Sequence, residues 1–148
     1  MSHTFRHIPG TYLRPRGKDD MSNSYSSKSA SSGASRITIT ELAKWKSAHQ
    51  KWAMLTSYDA MTAGIFEGAG IPVLLVGDSA GNNFFGHANT LPVTVDEMIS
   101  LTSAVVRGTS SALIIADLPF GSYEVSAEQA LATGIRFIKE AQAHAVKL

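Results

Sequence analysis

Two apolar runs that do not alternate constrain this chain more than any other feature. Residues 72–76 read PVLLV and residues 112–116 read ALIIA. A strand with one wet face alternates apolar and polar side chains; these two must be covered on both faces, as in parallel sheets flanked by helices. Helical patterns follow each run. Thr94-Val95-Asp96-Glu97 has the spacing of a capping box and predicts a helix to about Arg107, with Gly108 at its end. Ser126, with Gln129 three residues on, predicts another to about Gln142. Upstream, residues 40–46 read as a short capped helix. Residues 52–56 form a short apolar run ending at Ser57-Tyr58-Asp59. Residues 60–68 read as a helix stopped by Gly68 and Gly70. Residues 77–92 read as a loop, and residues 143–148 as the start of a fourth strand. Strands alternating with helices imply parallel strands joined by right-handed crossovers. A doubly wound open sheet and a (β/α)8 barrel both satisfy that pattern.

Composition narrows the function classes. The chain has no cysteine, which excludes disulfides, thiolate metal sites and cysteine nucleophiles. A net charge of +1 gives no electrostatic case for binding nucleic acid. No apolar run approaches the length of a membrane span. Residues 22–35 carry eight serines in fourteen positions, too little apolar surface to offset the entropy of ordering. Residues 1–35 are therefore expected to be a disordered arm, with Met21 as an alternative start, and residues 36–148 the folded part. The arm holds five Lys/Arg against Asp19 and Asp20, so the remainder is mildly acidic.

Three strand ends carry polar clusters: Tyr58-Asp59, Gly77-Asp78-Ser79 and Asp117. In parallel α/β folds, sites are built at the carboxyl ends of strands. Asp78 and Asp117 are each the first charged residue after an apolar strand, 39 residues and about one βα unit apart. On paired strands their carboxylates would lie roughly 5 Å apart, a separation that calls for a proton or a cation between them. A hard ion such as Mg²⁺ suits one or two carboxylates together with water and ligand oxygens. The competing reading of each Asp is a turn or cap residue. Ser79 offers a hydroxyl to an anion, or is a turn residue. Lys147, inside an apolar strand, needs a partner such as these aspartates, or else it simply points to solvent. His87 reads as a surface-loop residue, His144 as structural, and Glu124 as exposed. Trp45 and Trp52 are expected to pack against the barrel or a neighbouring subunit.

The stretches LTSYDAMTA (55–63), VLLVGDSAGNNFFGHANTLPVTVDEM (73–98), ADLPFGSYEVS (116–126) and AHAVKL (143–148) resemble ketopantoate hydroxymethyltransferases. The resemblance covers about residues 37–148. It implies an α/β fold, a (β/α)8 TIM barrel of the phosphoenolpyruvate/pyruvate type, of which about the first four strands are present. It also implies a reaction. 3-Methyl-2-oxobutanoate, deprotonated at C3, takes a one-carbon unit from 5,10-methylenetetrahydrofolate to give 2-dehydropantoate for pantothenate and coenzyme A synthesis. By resemblance Asp78 and Asp117 bind Mg²⁺ and lie against the substrate, while Ser79 and Lys147 hold the oxo acid. The resemblance further suggests a cytoplasmic homodecamer.

In that family the strand bearing the lysine continues into Glu-Gly-Gly, and the general-base glutamate lies beyond the position of Leu148. The sequence stops within an apolar strand. It is accordingly expected to be a fragment or truncated gene product, with negligible transferase activity on its own and a tendency to aggregate. Two rival expectations stand beside this one. A Mg²⁺-dependent 2-oxo acid lyase of the same superfamily would share the carboxylates without needing folate. A non-catalytic fragment would act only by associating with a complementary half.

Overall fold

The computed structural model describes residues 35–148; the Ser-rich arm falls outside the described residues, apart from Ser35. The elements run α1 (Ile39–Ser47), β1 (Met54–Thr56), α2 (Ala60–Gly68), β2 (Val73–Val76), α3 (Ala80–Asn83), α4 (Val95–Arg107), β3 (Leu113–Asp117), α5 (Ala127–Glu140) and β4 (Ala145–Lys147). The four strands form one parallel sheet in the order β1-β2-β3-β4. A doubly wound sheet reverses its strand order at a switch point; here each strand adds on the same side of the one before, as in a barrel.

The core explains why the strand sequences do not alternate. Leu74, Val76, Ile114 and Ala116 pack with Ala63 of α2, Met98, Leu101 and Val105 of α4, and Phe137 of α5. These helices therefore cover one face of the sheet. The other face carries Val73, Leu75, Leu113 and Ile115, of which Val73 and Leu113 are also buried. At the margins burial falls away: Met54 and Leu55 of β1 are exposed, as are Leu131, Ile135 and Ile138 along α5. Among the described residues no helix is long and apolar enough to cross a membrane.

Capping decides the helix starts. In α4, Thr94 Oγ1 accepts the Glu97 N–H at 3.2 Å while Glu97 accepts the Thr94 N–H at 2.8 Å, the expected reciprocal box. Helix α1 departs from expectation. Its cap is Thr38, which accepts the Glu41 N–H, so the helix begins before residue 40. The reason is spacing: Thr38, not Thr40, stands three residues ahead of a glutamate. The one-turn α3 lies inside the stretch read as a loop, because a single turn is too short to show periodicity.

Two side chains tie the ends of β3 and β4 to their neighbours. Glu67, near the end of α2, receives the N–H groups of Ser110, Ser111 and Ala112 and both serine hydroxyls, at 2.7–3.1 Å. Burial alone would raise its pKa; the peptide donors, Ala112 foremost, outweigh burial and bring it down to about 2. His144 Nδ1 accepts the Ile114 N–H at 2.9 Å, while the His144 N–H donates to the Ile114 carbonyl at 3.0 Å. Burial, and then the charge of Arg36, lower the pKa of this imidazole and favour the neutral form that such a bond requires.

Because the Glu67 pKa is depressed from 4.5, its contribution to stability is present above pH 4.5 and is lost as pH falls toward about 2. Glu67→Gln is expected to lower stability by about 1–3 kcal/mol at neutral pH. Chemical denaturation as a function of pH checks this: the gap between variant and wild type should narrow across that acid window.

Candidate functional site

The site begins with a register. β3 and β4 align Asp117 with Lys147. Ala116 and Val146 pack on the helix side, so their neighbours Asp117 and Lys147 point from the other face, side by side. Lys147 Nζ lies 2.7 Å from Asp117 Oδ1. The carboxylate is nearly buried, with a side-chain exposure of 10%, whereas the ammonium end is half exposed at 55%. The lysine pKa is raised by the hydrogen bond to Asp117, opposed by desolvation, and raised further by the charges of Asp117 and Asp78. Lys147 is therefore a firmly held cation that keeps donors free on its open side.

β2 aligns Val76 with Ala116, which sets Gly77, the next residue, level with Asp117. Asp78 stands one step beyond, and its N–H donates to Asp117 Oδ2 at 3.3 Å. The sequence pattern had placed the two aspartates in equivalent positions on successive strands. The contact is made by the Asp78 main chain, offset by one residue, because Asp117 closes β3 whereas Asp78 follows a glycine that has already left β2. Gly77 leaves room for the Ser79 hydroxyl. A Cβ there would lie 2.8 Å from Ser79 Oγ and 3.5 Å from Asp117 Oδ2.

Ser79 precedes α3 but makes no capping bond with its hydroxyl. Its Oγ instead lies 2.8 Å from Tyr58 Oη, at the end of β1, and Asn83 Nδ2 donates to that same Oη at 3.3 Å. Asp78, Ser79, Asp117 and Lys147 are thus all drawn to one end of the sheet. Tyr58 and Asn83 join them, and neither was singled out for a role from sequence. The available signal was the four-residue spacing of Ser79 and Asn83, which one turn of helix brings to the same side.

Other polar candidates serve the fold. Asp59 caps α2 by accepting the Thr62 N–H at 2.8 Å. His144 is structural, as described, and Glu124 is exposed. His87 is half-buried, its ring ending a row of Tyr58, Phe84, Phe85 and His87 with centroids 5.2–6.1 Å apart. Trp45 is partly covered and Trp52 is exposed. Trp52 lines an open cavity of about 530 Å³ with Leu42, Lys46 and His49, before β1 begins and apart from the four site residues.

The donor chemistry fits a hard cation. Asp78 and Asp117 would supply carboxylate oxygens, and a carboxylate has about four lone-pair positions, so the Asp78 N–H bond and the Lys147 ion pair would leave Asp117 able to coordinate. Among the described residues no group of three or more His, Asp or Glu converges. Two carboxylates, completed by water and a chelating ligand, are the usual protein share for Mg²⁺ and not for a closed zinc site.

The sequence profile of the ketopantoate hydroxymethyltransferase family matches residues 36–148. The chain belongs to that family. Among curated relatives, it is 62% identical over 113 residues to a 3-methyl-2-oxobutanoate hydroxymethyltransferase of Saccharopolyspora erythraea, covering 76% of this chain and 39% of the relative. A relative of the same name from Streptomyces avermitilis is 59% identical over 116 residues, covering 78% and 40%. The chain thus spans about two fifths of the length of the relatives it matches. A crystal structure of 2,3-dimethylmalate lyase, of the PEP mutase/isocitrate lyase superfamily, superposes with a TM-score of 0.54 at 18% identity. That match covers 72% of this chain and 37% of the lyase, and it shows the fold alone: four parallel strands with their helices, as in part of a TIM barrel.

Gly77→Ala should displace the Ser79 hydroxyl, 2.8 Å from the added Cβ, and leave Asp117 in ordinary contact, with a loss of up to about 1–3 kcal/mol from overpacking. Thermal unfolding combined with amide chemical shifts checks this. The expected shift changes centre on residues 77–79 and 117, and an unshifted Ser79 contradicts the crowding.

Proposed function

We propose that residues 36–148 supply the metal- and oxo acid-holding part of a 3-methyl-2-oxobutanoate hydroxymethyltransferase. The observation that carries this reading is the register-paired Asp117 and Lys147, with the Asp78 main chain hydrogen-bonded to the same carboxylate. Family membership supports the substrate class, 3-methyl-2-oxobutanoate with 5,10-methylenetetrahydrofolate as one-carbon donor.

Asp78 and Asp117 would hold Mg²⁺, whose chemistry is to stabilise negative charge on the carbonyl oxygen of a 2-oxo acid as C3 loses its proton. The chain's own residues do the rest of the binding. Lys147, anchored by Asp117, turns its remaining N–H donors toward the anionic group of the substrate. Ser79 places a hydroxyl beside Asp78, and Gly77 lets the backbone approach closely. Buried Asp117 and the apolar strand ends beneath it lower the local dielectric, which strengthens each of these contacts. Folate contacts, a general base, a homo-oligomer and a cytoplasmic setting belong to the proposal for the whole protein and follow from the family resemblance.

Titration calorimetry of the 148-residue chain with 3-methyl-2-oxobutanoate, with and without Mg²⁺, tests the reading. Binding should depend on Mg²⁺. Asp117→Asn and Lys147→Met should each weaken it by roughly tenfold or more, the value of one charge-assisted contact. Binding that ignores the cation and both substitutions would overturn it.

A further inference from the structure

The Asn83 side chain meets Tyr58 Oη, and Tyr58 Oη in turn meets Ser79 Oγ. The amide Nδ2 of Asn83 can only donate, so Tyr58 Oη accepts from it. At 2.8 Å from Ser79 Oγ, Tyr58 shares one proton across that contact, and either oxygen has the chemistry to give it. Asn83 breaks the tie. An oxygen that accepts one hydrogen bond becomes a better donor of its own proton, and chains of such bonds reinforce one another.

We propose that Asn83 and Tyr58 are positioning residues that set the direction of the Ser79 hydroxyl. Asn83 donates to Tyr58, Tyr58 donates to Ser79 Oγ, and the Ser79 proton is left to be donated outward, to an anionic oxygen held by Lys147. The proposal rests on the reading of the site as an oxo acid pocket, and it adds what that reading lacks. A serine hydroxyl both donates and accepts, so without a fixed donor on its acceptor side its proton would be free to turn toward Tyr58. The relay occupies its acceptor side from the β1 end. Ser79 is well placed for this because its hydroxyl does not cap α3, and Asn83, four residues on, is carried to the same side by that single turn.

The direction of the relay has a ligand-free readout. In equal H₂O and D₂O, a slowly exchanging hydroxyl splits the signal of the carbon that bears it. The relay places that doublet at Tyr58 Cζ, and Ser79→Ala collapses it. A doublet at Ser79 Cβ in its place, or none at Tyr58, overturns the proposal whether or not the oxo acid binds.

The consequence for binding is read by calorimetry with 3-methyl-2-oxobutanoate and Mg²⁺. Tyr58→Phe and Asn83→Ala should each weaken affinity roughly fivefold, the worth of one redirected hydrogen bond, and should have no further effect once Ser79→Ala is present. Asn83→Asp reverses the relay, because a carboxylate only accepts; its loss should exceed that of Asn83→Ala. Repeating it in the Ser79→Ala background subtracts the effect of the added charge. Equal losses with and without Ser79, or none in either, overturn the relay. Absence of oxo acid binding in the wild type, with the Tyr58 doublet present, instead overturns the assignment of the pocket and leaves the relay standing.

Discussion

The ion pair between Asp117 and Lys147 depends on β3 and β4 running parallel in one particular register, and the remainder of the site depends on the pair. A shift of one residue would carry Lys147 to the helix side, where Val146 packs against Phe137 and its neighbours, and would bury an ammonium in an apolar core. The core and the site therefore enforce the same alignment from opposite faces of the sheet. Lys147 lies against one oxygen of the nearly buried Asp117 carboxylate, and the other oxygen accepts the Asp78 N–H.

The folding of the connections serves this arrangement. Glu67 gathers three consecutive peptide N–H groups just before β3 and so sets where that strand begins. The capping box of Thr94 and Glu97 starts α4, whose Met98, Leu101 and Val105 cover β2 and β3. At the opposite end, a missing side chain also matters, since a Cβ at Gly77 would crowd the Ser79 hydroxyl at 2.8 Å.

Much of this was legible in the chain itself. The runs at 72–76 and 112–116 announced parallel strands because continuous apolar character has few other uses at that length. The four residues Asp78, Ser79, Asp117 and Lys147 stood out because polar groups at the ends of such strands need a reason. The offset between the aspartates was not legible, because register follows from how the crossover helices pack, which no local pattern records. Tyr58 was named only as part of a strand-end cluster, and Asn83 was given no role, for a related reason: a tyrosine after one strand and an asparagine after the next acquire a joint meaning only when the two strands are adjacent. The pattern of strands and helices left barrel and open sheet open; the family resemblance pointed to the barrel, and the strand order agrees with it.

His144 shows what such an assembled sheet asks of its sequence. Its ring nitrogen and peptide N–H pair reciprocally with Ile114, closing the ring that a pair of peptide groups closes elsewhere in the ladder. A side chain has taken the part of a backbone carbonyl. Variation at that position is therefore governed by lone pairs and not by bulk: a replacement of similar volume without an acceptor at that point leaves the Ile114 N–H stranded inside the strand that carries Asp117.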